Sequence, residues 1–420
     1  MTKRRINKEI WVASGLRTPF AKVGKELSKV SAMDLSVKVL NEMKRSQNIN
    51  PELVIWGAVV PHLDYSNLGR ETVLESELED ETVGIGTTMA CSTSLAATIE
   101  AAMMLTEDEI AIAGGVESMT NVQLGLSQKT SNWMRSLSGT KGTLGKMKLL
   151  GGIFQFSLFI PPGVNRTTGK SMGEHAEITA QRLGIPREGQ DKFALSSHEK
   201  YNKAADKGFY SDLVFPAFGL EKDAIPRRNS TLEKLATLKP AFDRKSGKGT
   251  LTAGNSTLFT DGAASVWVAG KNRIDELAVP YKAKIVDWEM AGVNIEQEGI
   301  LMSPTFAIPR LLERHGFVYD DIDLWEIHEA FASQVLSTIS NLENPDHLKK
   351  TGTKMDFGKF PTNKLNPNGS SIAIGHPFGA TGSRVLSQAI KQLHSMGEGH
   401  KAIISVCADG GLGTVMLIQN

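Results

Sequence analysis

Two cysteines occur in 420 residues, Cys91 and Cys407, and each lies where a thiol can do chemistry. Cys91 follows Thr87-Thr88-Met89-Ala90 and opens an apolar pattern running to Leu105. The spacing predicts a thiol at a helix N-terminus, where backbone N–H dipoles favour a thiolate. Cys407 closes the β-rich run Ile403-Ile404-Ser405-Val406 ahead of Asp409-Gly410-Gly411, at a strand end. Between them, His376 in Ile374-Gly375-His376-Pro377 offers an imidazole that can act as base. An isolated cysteine also reads as a small buried hydrophobe, and that alternative stands beside the reactive one.

The elements that must position these groups alternate between strand and helix. Strand patterns fall at residues 9–13, 54–60 and 109–113, with helical ones at 33–45, 69–77 and 91–105, giving an α/β half. A second half echoes it: strands at 282–287, 322–327, 401–407 and 413–418, helices at 303–315, 329–341 and 379–394. Cys91 heads the last helix of one half and His376 precedes the corresponding helix of the other, so two equivalent helix N-termini can face one centre. Residues 122–249 break the alternation with glycines, prolines and polar stretches, as an insert would.

Composition is that of a soluble globular protein, with 40% hydrophobic and 22% charged residues. No apolar run approaches the ~20 residues that span a bilayer, and residues 1–8 are too few for a signal or transit peptide. A cytoplasmic location is the expectation, and a reducing compartment suits a reactive thiol. Net charge is +1, but residues 122–250 hold 21 Lys plus Arg against 11 Asp plus Glu. That basic insert suits an anionic ligand such as a phosphorylated cofactor, or equally a solvated face. No nucleic-acid module is visible.

The string from Asn366 to Arg384, containing Asn368-Gly369-Ser370-Ser371 and Gly375-His376-Pro377-Phe378-Gly379-Ala380-Thr381-Gly382, resembles the signature of the thiolase family. Arg17-Thr18-Pro19-Phe20, the Cys91 segment leading to Gly114-Gly115-Val116-Glu117-Ser118-Met119, Gly254-Asn255-Ser256-Thr257 with Thr260-Asp261-Gly262, and the Cys407 segment agree with it in order, across essentially the whole chain. The resemblance implies a five-layered αβαβα fold of two similar core domains with an inserted loop domain. On it, residues 1–121 with 250–272 form the N-terminal core, 122–249 the coenzyme A-binding loop domain and 273–420 the C-terminal core.

The same resemblance implies thiolytic cleavage of a 3-ketoacyl-CoA to acetyl-CoA and a shortened acyl-CoA. Acyl transfer through a thiol needs a nucleophile, a base, oxyanion donors and a second acid/base for the departing carbon. Cys91, His376, the backbone N–H groups of Cys91 and Asp409, and Cys407 take those places. His328, in His328-Glu329-Ala330-Phe331, stands where many thiolases carry asparagine and is similar to the subunit of fatty-acid oxidation complexes; it polarises the thioester oxygen or is a hydrogen-bonded core histidine. Asp409 replaces a usual glycine, and its carboxylate is expected to raise the thiol pKa. An acetoacetyl-CoA thiolase and a silent lipid-CoA binder remain alternatives; a ketoacyl synthase, with Cys-His-His, is disfavoured by Cys407.

Coenzyme A is the expected substrate, with no permanently bound cofactor. Ser171, Met172, Arg227, Arg228 and Thr257 match cofactor-contacting positions of the family. No metal is implied, because His328-Glu329 lacks the second histidine of a zinc helix. Residues 122–173 hold seven cations and no acid beside Ile153-Phe154-Gln155-Phe156-Ser157-Leu158-Phe159-Ile160; this stretch lines an acyl tunnel, touches an anionic membrane, or packs inside its domain or a subunit interface, the last being favoured. A homodimer or homotetramer, and an enoyl-CoA hydratase/3-hydroxyacyl-CoA dehydrogenase partner subunit, complete the expectations.

Overall fold

The computed structural model describes residues 8–161 and 163–420; residues 1–7, on which the expectation about a leader bears, and residue 162 lie outside them. Up to residue 121 the chain forms β1 (Ile10–Arg17), α1 (Ala32–Gln47), β2 (Leu53–Gly57), α2 (Leu68–Glu75), β3 (Val83–Thr87), α3 (Thr93–Met104) and β4 (Ile110–Glu117). From residue 172 it forms α4 (Met172–Arg182), α5 (Arg187–Asp206), β5 (Thr260–Gly270), β6 (Lys282–Gly292), α6 (Pro304–His315), β7 (Leu324–Ile327), α7 (Ala332–Leu342), α8 (Ser371–Ile374), α9 (Thr381–Met396), β8 (Lys401–Ala408) and β9 (Leu412–Gln419). The strands lie in the order β7-β8-β9-β6-β1-β5-β4-β2-β3. β2 runs parallel to β3 and β4, and β7 to β8; the remaining pairs are antiparallel.

Strand periodicity sends alternate residues to opposite faces, and three cores result. Leu53 and Ile55 of β2 pack with α3 in a central core, while Val54 and Trp56 pack with α1 in an outer one. Ala402, Ile404 and Val406 of β8 enter the same central core, whereas Ile403 joins α6 in a second outer core. The layers are therefore α1 and α2, the first set of strands, α3 with α9, the second set, and α6 with its neighbour α7. The order β6-β9-β8-β7 repeats β1-β5-β4-β2; in the place of β3 there is a single parallel bridge from Leu365 to Trp325.

A helix in the middle layer is buried on most of its circumference, polar residues such as Thr98, Arg384 and Gln388 included. In α3, Leu95, Ala96, Ala97, Ile99, Ala101 and Ala102 are buried, and α9 buries Val385, Leu386, Ala389, Ile390 and Leu393. The two cross near their N-termini at Gly382, where a Cβ would meet Leu95 N at 2.3 Å. Ser383 N donates to Ser94 Oγ at 2.9 Å beside that crossing. Only a residue without a side chain permits this approach, and it brings the Cys91 and His376 loops together.

Departures from the expected elements have local causes. The strand expected at 54–60 stops at Gly57, since the N–H groups of Val59 and Val60 turn to the Glu117 carboxylate, each at 3.1 Å. The helix expected from 329 begins at Ala332: Phe331 is extended and bridges to Ser256, and Ala330 O accepts from Thr257 N. β3 was not foreseen; its glycines, Gly84 and Gly86, mask the alternation of Val83, Ile85 and Thr87. Within the irregular stretch the sequence suggested for 122–249, α4 and α5 are regular helices.

Val122–Ser171 forms a unit of its own. It holds the helices Gln128–Gly139 and Thr143–Leu149 and a two-stranded ribbon, Gly125–Leu126 with Leu158–Phe159. Trp133 Nε1 donates to Leu149 O at 2.7 Å and fixes one helix to the other. The apolar run at 153–160 is not packed inside this unit: Phe154 is 93% exposed and Ile160 67%.

Candidate active site

Cys91 sits in the turn from β3 to α3, one residue before the N-cap Ser92. Its predecessor Ala90 has φ +46°, a left-handed conformation costing a side-chain-bearing residue about 1–2 kcal/mol. Local bonds hold the turn: Met89 N donates to Thr93 Oγ1 at 2.9 Å and Thr93 N to Ala90 O at 3.1 Å. Ser92 Oγ reaches across the molecule to Val406 O at 2.9 Å, beside Cys407 at the end of β8. The Asp409 backbone N–H, in the turn after that strand, bonds the Cys91 thiol. The two cysteines are thus neighbours, Cys91 partly exposed and Cys407 buried.

His376 lies between α8 and α9, its N donating to Leu258 O at 3.3 Å. Gly375 before it has φ +101°, and a Cβ there would meet Thr260 Cγ2 at 2.6 Å. His376 Nδ1 is 2.6 Å from Thr381 Oγ1, whose hydroxyl donates to Pro377 O at 2.9 Å. A hydroxyl has one hydrogen, so Thr381 must accept from Nδ1–H. His376 Nε2 then carries a lone pair, and it has no protein partner among the described residues.

His328 follows β7, with its N donating to Ser405 O at 2.8 Å and its Nδ1 2.7 Å from Ser371 Oγ. Its Nε2 likewise lacks a protein partner. The two imidazole centroids are 4.1 Å apart, and Cys91 Sγ with one nitrogen of each ring lie within 4.8 Å of one another.

All four groups rest neutral. Burial, then the Asp409 carboxylate and Glu117, push the Cys91 thiol up to about 12, against the lowering effect of the Asp409 N–H. Burial and the nearby Cys91 push Cys407 well above the usual thiol range. Burial and then Arg384 bring His376 down to about 3. His328 falls well below its ordinary value through burial, His376 and Arg384. The helix N-terminus therefore does not make Cys91 a resting thiolate; loss of water outweighs the dipole, which is worth only about 0.3–1 kcal/mol. The expected upward effect of Asp409 is present.

Two buried carboxylates position the loops, and the sequence reading did not assign them. Glu117 accepts from Val59 N, Val60 N and Gly379 N at 3.1 Å each, tying the loop after β2 to the His376 loop; burial raises its pKa to about 7. Glu329 accepts from Ser197 Oγ, Asn366 Nδ2 and Ile372 N, and so anchors the residue after His328 to α5 and α8. Arg17, in the first of the resemblance motifs, is spent on Asp223 through a bidentate pair at 2.6 and 2.7 Å.

The expected coenzyme A contacts are dispersed. Thr257 donates its hydroxyl to Ser371 O at 2.7 Å, next to the His328 partner. Met172 opens α4 and packs beside the cluster that contains Cys407 and Phe331. Arg228 pairs with Asp206 at 2.6 Å and is exposed, as is Arg227. Both arginines line a surface cavity with Asn229, Ser230 and Lys234. Ser171 is the last residue of the Val122–Ser171 unit.

Known proteins carry the same organisation. The thiolase N-terminal domain family matches residues 10–272 and the thiolase C-terminal domain family residues 279–420. A 3-ketoacyl-CoA thiolase of Photobacterium profundum is 36% identical over 99% of this chain and 98% of its own length. One from Vibrio cholerae is 35% identical with the same coverage. A solved acetyl-CoA acetyltransferase of Bacillus anthracis superposes with a TM-score of 0.79 at 31% identity, over 98% of each chain. Human mitochondrial 3-ketoacyl-CoA thiolase in complex with CoA gives 0.79 at 26% identity, again over 98% of each. With both family domains matched end to end, and a thiol and two imidazoles gathered where the two halves meet, this chain belongs to the thiolase family of acyltransferases.

Proposed function

We propose that the chain cleaves 3-ketoacyl-CoA with the thiol of a second coenzyme A, releasing acetyl-CoA and an acyl-CoA two carbons shorter. The observation that carries this reading is the neutral cluster of Cys91, His328 and His376, with both Nε2 atoms unpartnered and Cys407 adjoining. Cys91 gives its proton to His376 Nε2 as its sulfur attacks the 3-keto carbon. The oxygen of that tetrahedral adduct is held by the backbone N–H groups of Cys91 and Asp409. Breaking the bond between C2 and C3 leaves an acyl group on Cys91 and the enolate of acetyl-CoA; His328 donates to the enolate oxygen while the Cys407 thiol gives its proton to the carbon. Coenzyme A sulfur then attacks the acyl-enzyme and returns Cys91.

Mass spectrometry of the protein mixed with acetyl-CoA tests the roles. An acetyl adduct is expected on the native chain and absent from Cys91→Ala. Cys407→Ala should still acquire the adduct, because His376 can pass the Cys91 proton to the departing coenzyme A sulfur and no carbon is protonated in that half-reaction, yet fail to cleave a 3-ketoacyl-CoA. An adduct persisting in Cys91→Ala overturns the assignment.

Place and assembly belong to the same reading. Fatty-acid β-oxidation in the cytoplasm, a homodimer or homotetramer, and a hydratase/dehydrogenase partner are part of the proposal, and the likeness to proteins named 3-ketoacyl-CoA thiolase is consistent with them. Domain limits of 1–121 with 250–272, 122–249 and 273–420 are proposed with it, as are Ser171, Met172, Arg227, Arg228 and Thr257 toward coenzyme A. No helix among the described residues is long and apolar enough to cross a membrane. The exposed, cationic 122–171 unit supports peripheral contact with an anionic surface, and a preference for longer acyl chains is proposed beside it. Thiolysis limited to acetoacetyl-CoA would favour the C4 enzyme instead.

A further inference from the structure

We infer that Ser371, oriented by Arg384, is the positioning residue that keeps the His328 proton on Nε2, so that His328 meets substrate as a neutral donor. The inference rests on the proposed function for its catalytic meaning, but not for its geometry. Arg384 is buried and can only donate; Nη2 reaches Ser371 Oγ at 2.5 Å and Nη1 reaches Ser370 Oγ at 3.1 Å. Ser371 is itself fully buried, and its remaining hydroxyl contact is His328 Nδ1 at 2.7 Å.

Only one arrangement satisfies both the Ser371 hydroxyl and His328 Nδ1. With Arg384 on one lone pair, the Ser371 hydrogen needs an acceptor, and Nδ1 provides it only if Nδ1 is unprotonated. Were the proton on Nδ1, two donors would converge on Ser371 and its own hydrogen would point at nothing, an expensive outcome in a dry site. The His328 proton therefore sits on Nε2. The neighbouring ring has the opposite state, because the Thr381 hydrogen is committed to Pro377 O. Two imidazoles 4.1 Å apart thus hold opposite tautomers, one fitted to give a hydrogen bond and the other to take a proton. The buried guanidinium beside them also disfavours a second proton on either ring.

Ring-nitrogen NMR on the full-length protein with ¹⁵N-labelled histidine tests the geometry without substrate, and His328→Gln and His376→Asn identify the signals. The expected spectrum has His328 protonated on Nε2 and His376 on Nδ1; His328 protonated on Nδ1 overturns the inference whatever the enzyme does. Kinetics test the role. Ser371→Ala should lower kcat by about ten- to a hundredfold with KM little changed, and Ser371→Thr should restore it. In His328→Gln, whose amide nitrogen replaces Nε2 and has no tautomer to set, adding Ser371→Ala should cost nothing further. An equal loss in both backgrounds overturns the positioning role. A native chain with the expected tautomers but no thiolysis would instead count against the proposed function.

Discussion

Replacing Thr381 by valine removes one oxygen and keeps the shape, and it should misdirect the proposed base, His376. Thr381 is fully buried, so the change leaves the packing of α9 intact. In the native chain Nδ1–H of His376 is held at 2.6 Å by an oxygen that can only accept. With valine, that N–H is a buried donor without a partner, at a cost of about 1–3 kcal/mol. The ring lessens the cost by moving its proton to Nε2, which has no protein partner among the described residues but can donate to water or substrate in the site. At about 1.4 kcal/mol per tenfold, the proton-accepting tautomer falls by about 5- to 150-fold, and kcat should fall with it. For comparison, a wrong tautomer costs about 10⁴-fold in the Ser-His-Asp triad. Initial thiolysis rates at saturating coenzyme A measure the effect, with a thermal melt to verify folding. Thr381→Ser should behave as the native chain. A folded Thr381→Val within twofold of native kcat, or a Thr381→Ser as slow as the valine variant, refutes the reasoning.

Alkylation of Cys91 by iodoacetamide should accelerate steadily from pH 7 to 9 without a plateau, since the thiol is pushed up to about 12; Asp409→Asn should speed it about three- to tenfold across that range, and a plateau near neutrality would reveal a resting thiolate. Gly375→Ala, with φ +101° and Thr260 Cγ2 at 2.6 Å, should cost on the order of 3 kcal/mol in chemical denaturation and displace His376; an unchanged midpoint excludes that packing account. Burial raises the Glu326 pKa to about 8, so between about pH 4.5 and 8 the unfolded chain ionises this group while the folded chain keeps its proton, and stability falls as pH rises by about 1.4 kcal/mol per unit. Glu326→Gln should therefore gain on the native chain progressively from pH 5 to 8, and a constant difference in unfolding free energy would contradict it.

What the sequence disclosed was the set of proposed reacting groups, which the fold gathers, and the order of the elements beneath them. Cys91, His376 and Cys407 stand in motifs where the residue type is the chemistry, and the period of the apolar residues gave both α/β halves. What it withheld depends on partners far away in the chain. Glu117 reads as one acid at the end of a strand until Val59, Val60 and Gly379 point their N–H groups at it. Ser371 and Thr381 are common small polar residues; only the Arg384 and Pro377 contacts decide which way each hydroxyl points. The thiol state went the other way: a helix N-terminus is legible locally, whereas the burial that outweighs it is a property of the folded chain.

The neutrality of the cluster has a consequence for the order of proton transfers. A permanent thiolate and imidazolium would have to survive beside the Asp409 carboxylate and the Arg384 guanidinium, and each opposes the charge of its neighbour. Burying an ion pair is costly unless its geometry is excellent, while burying a neutral thiol and a neutral imidazole needs only hydrogen bonds. Charge is therefore created only when an electrophilic carbon is present to receive the sulfur. In the proposed mechanism the imidazolium so formed is strongly acidic, since its surroundings hold His376 near 3, and it returns its proton to Cys91 when coenzyme A displaces the acyl group. On the proposed roles, the protonated Cys407 stands ready to supply the enolate carbon at that stage, since its own pKa is raised well above neutrality. The thiolate it leaves beside Cys91 is in turn strongly basic, and can take the proton of the incoming coenzyme A.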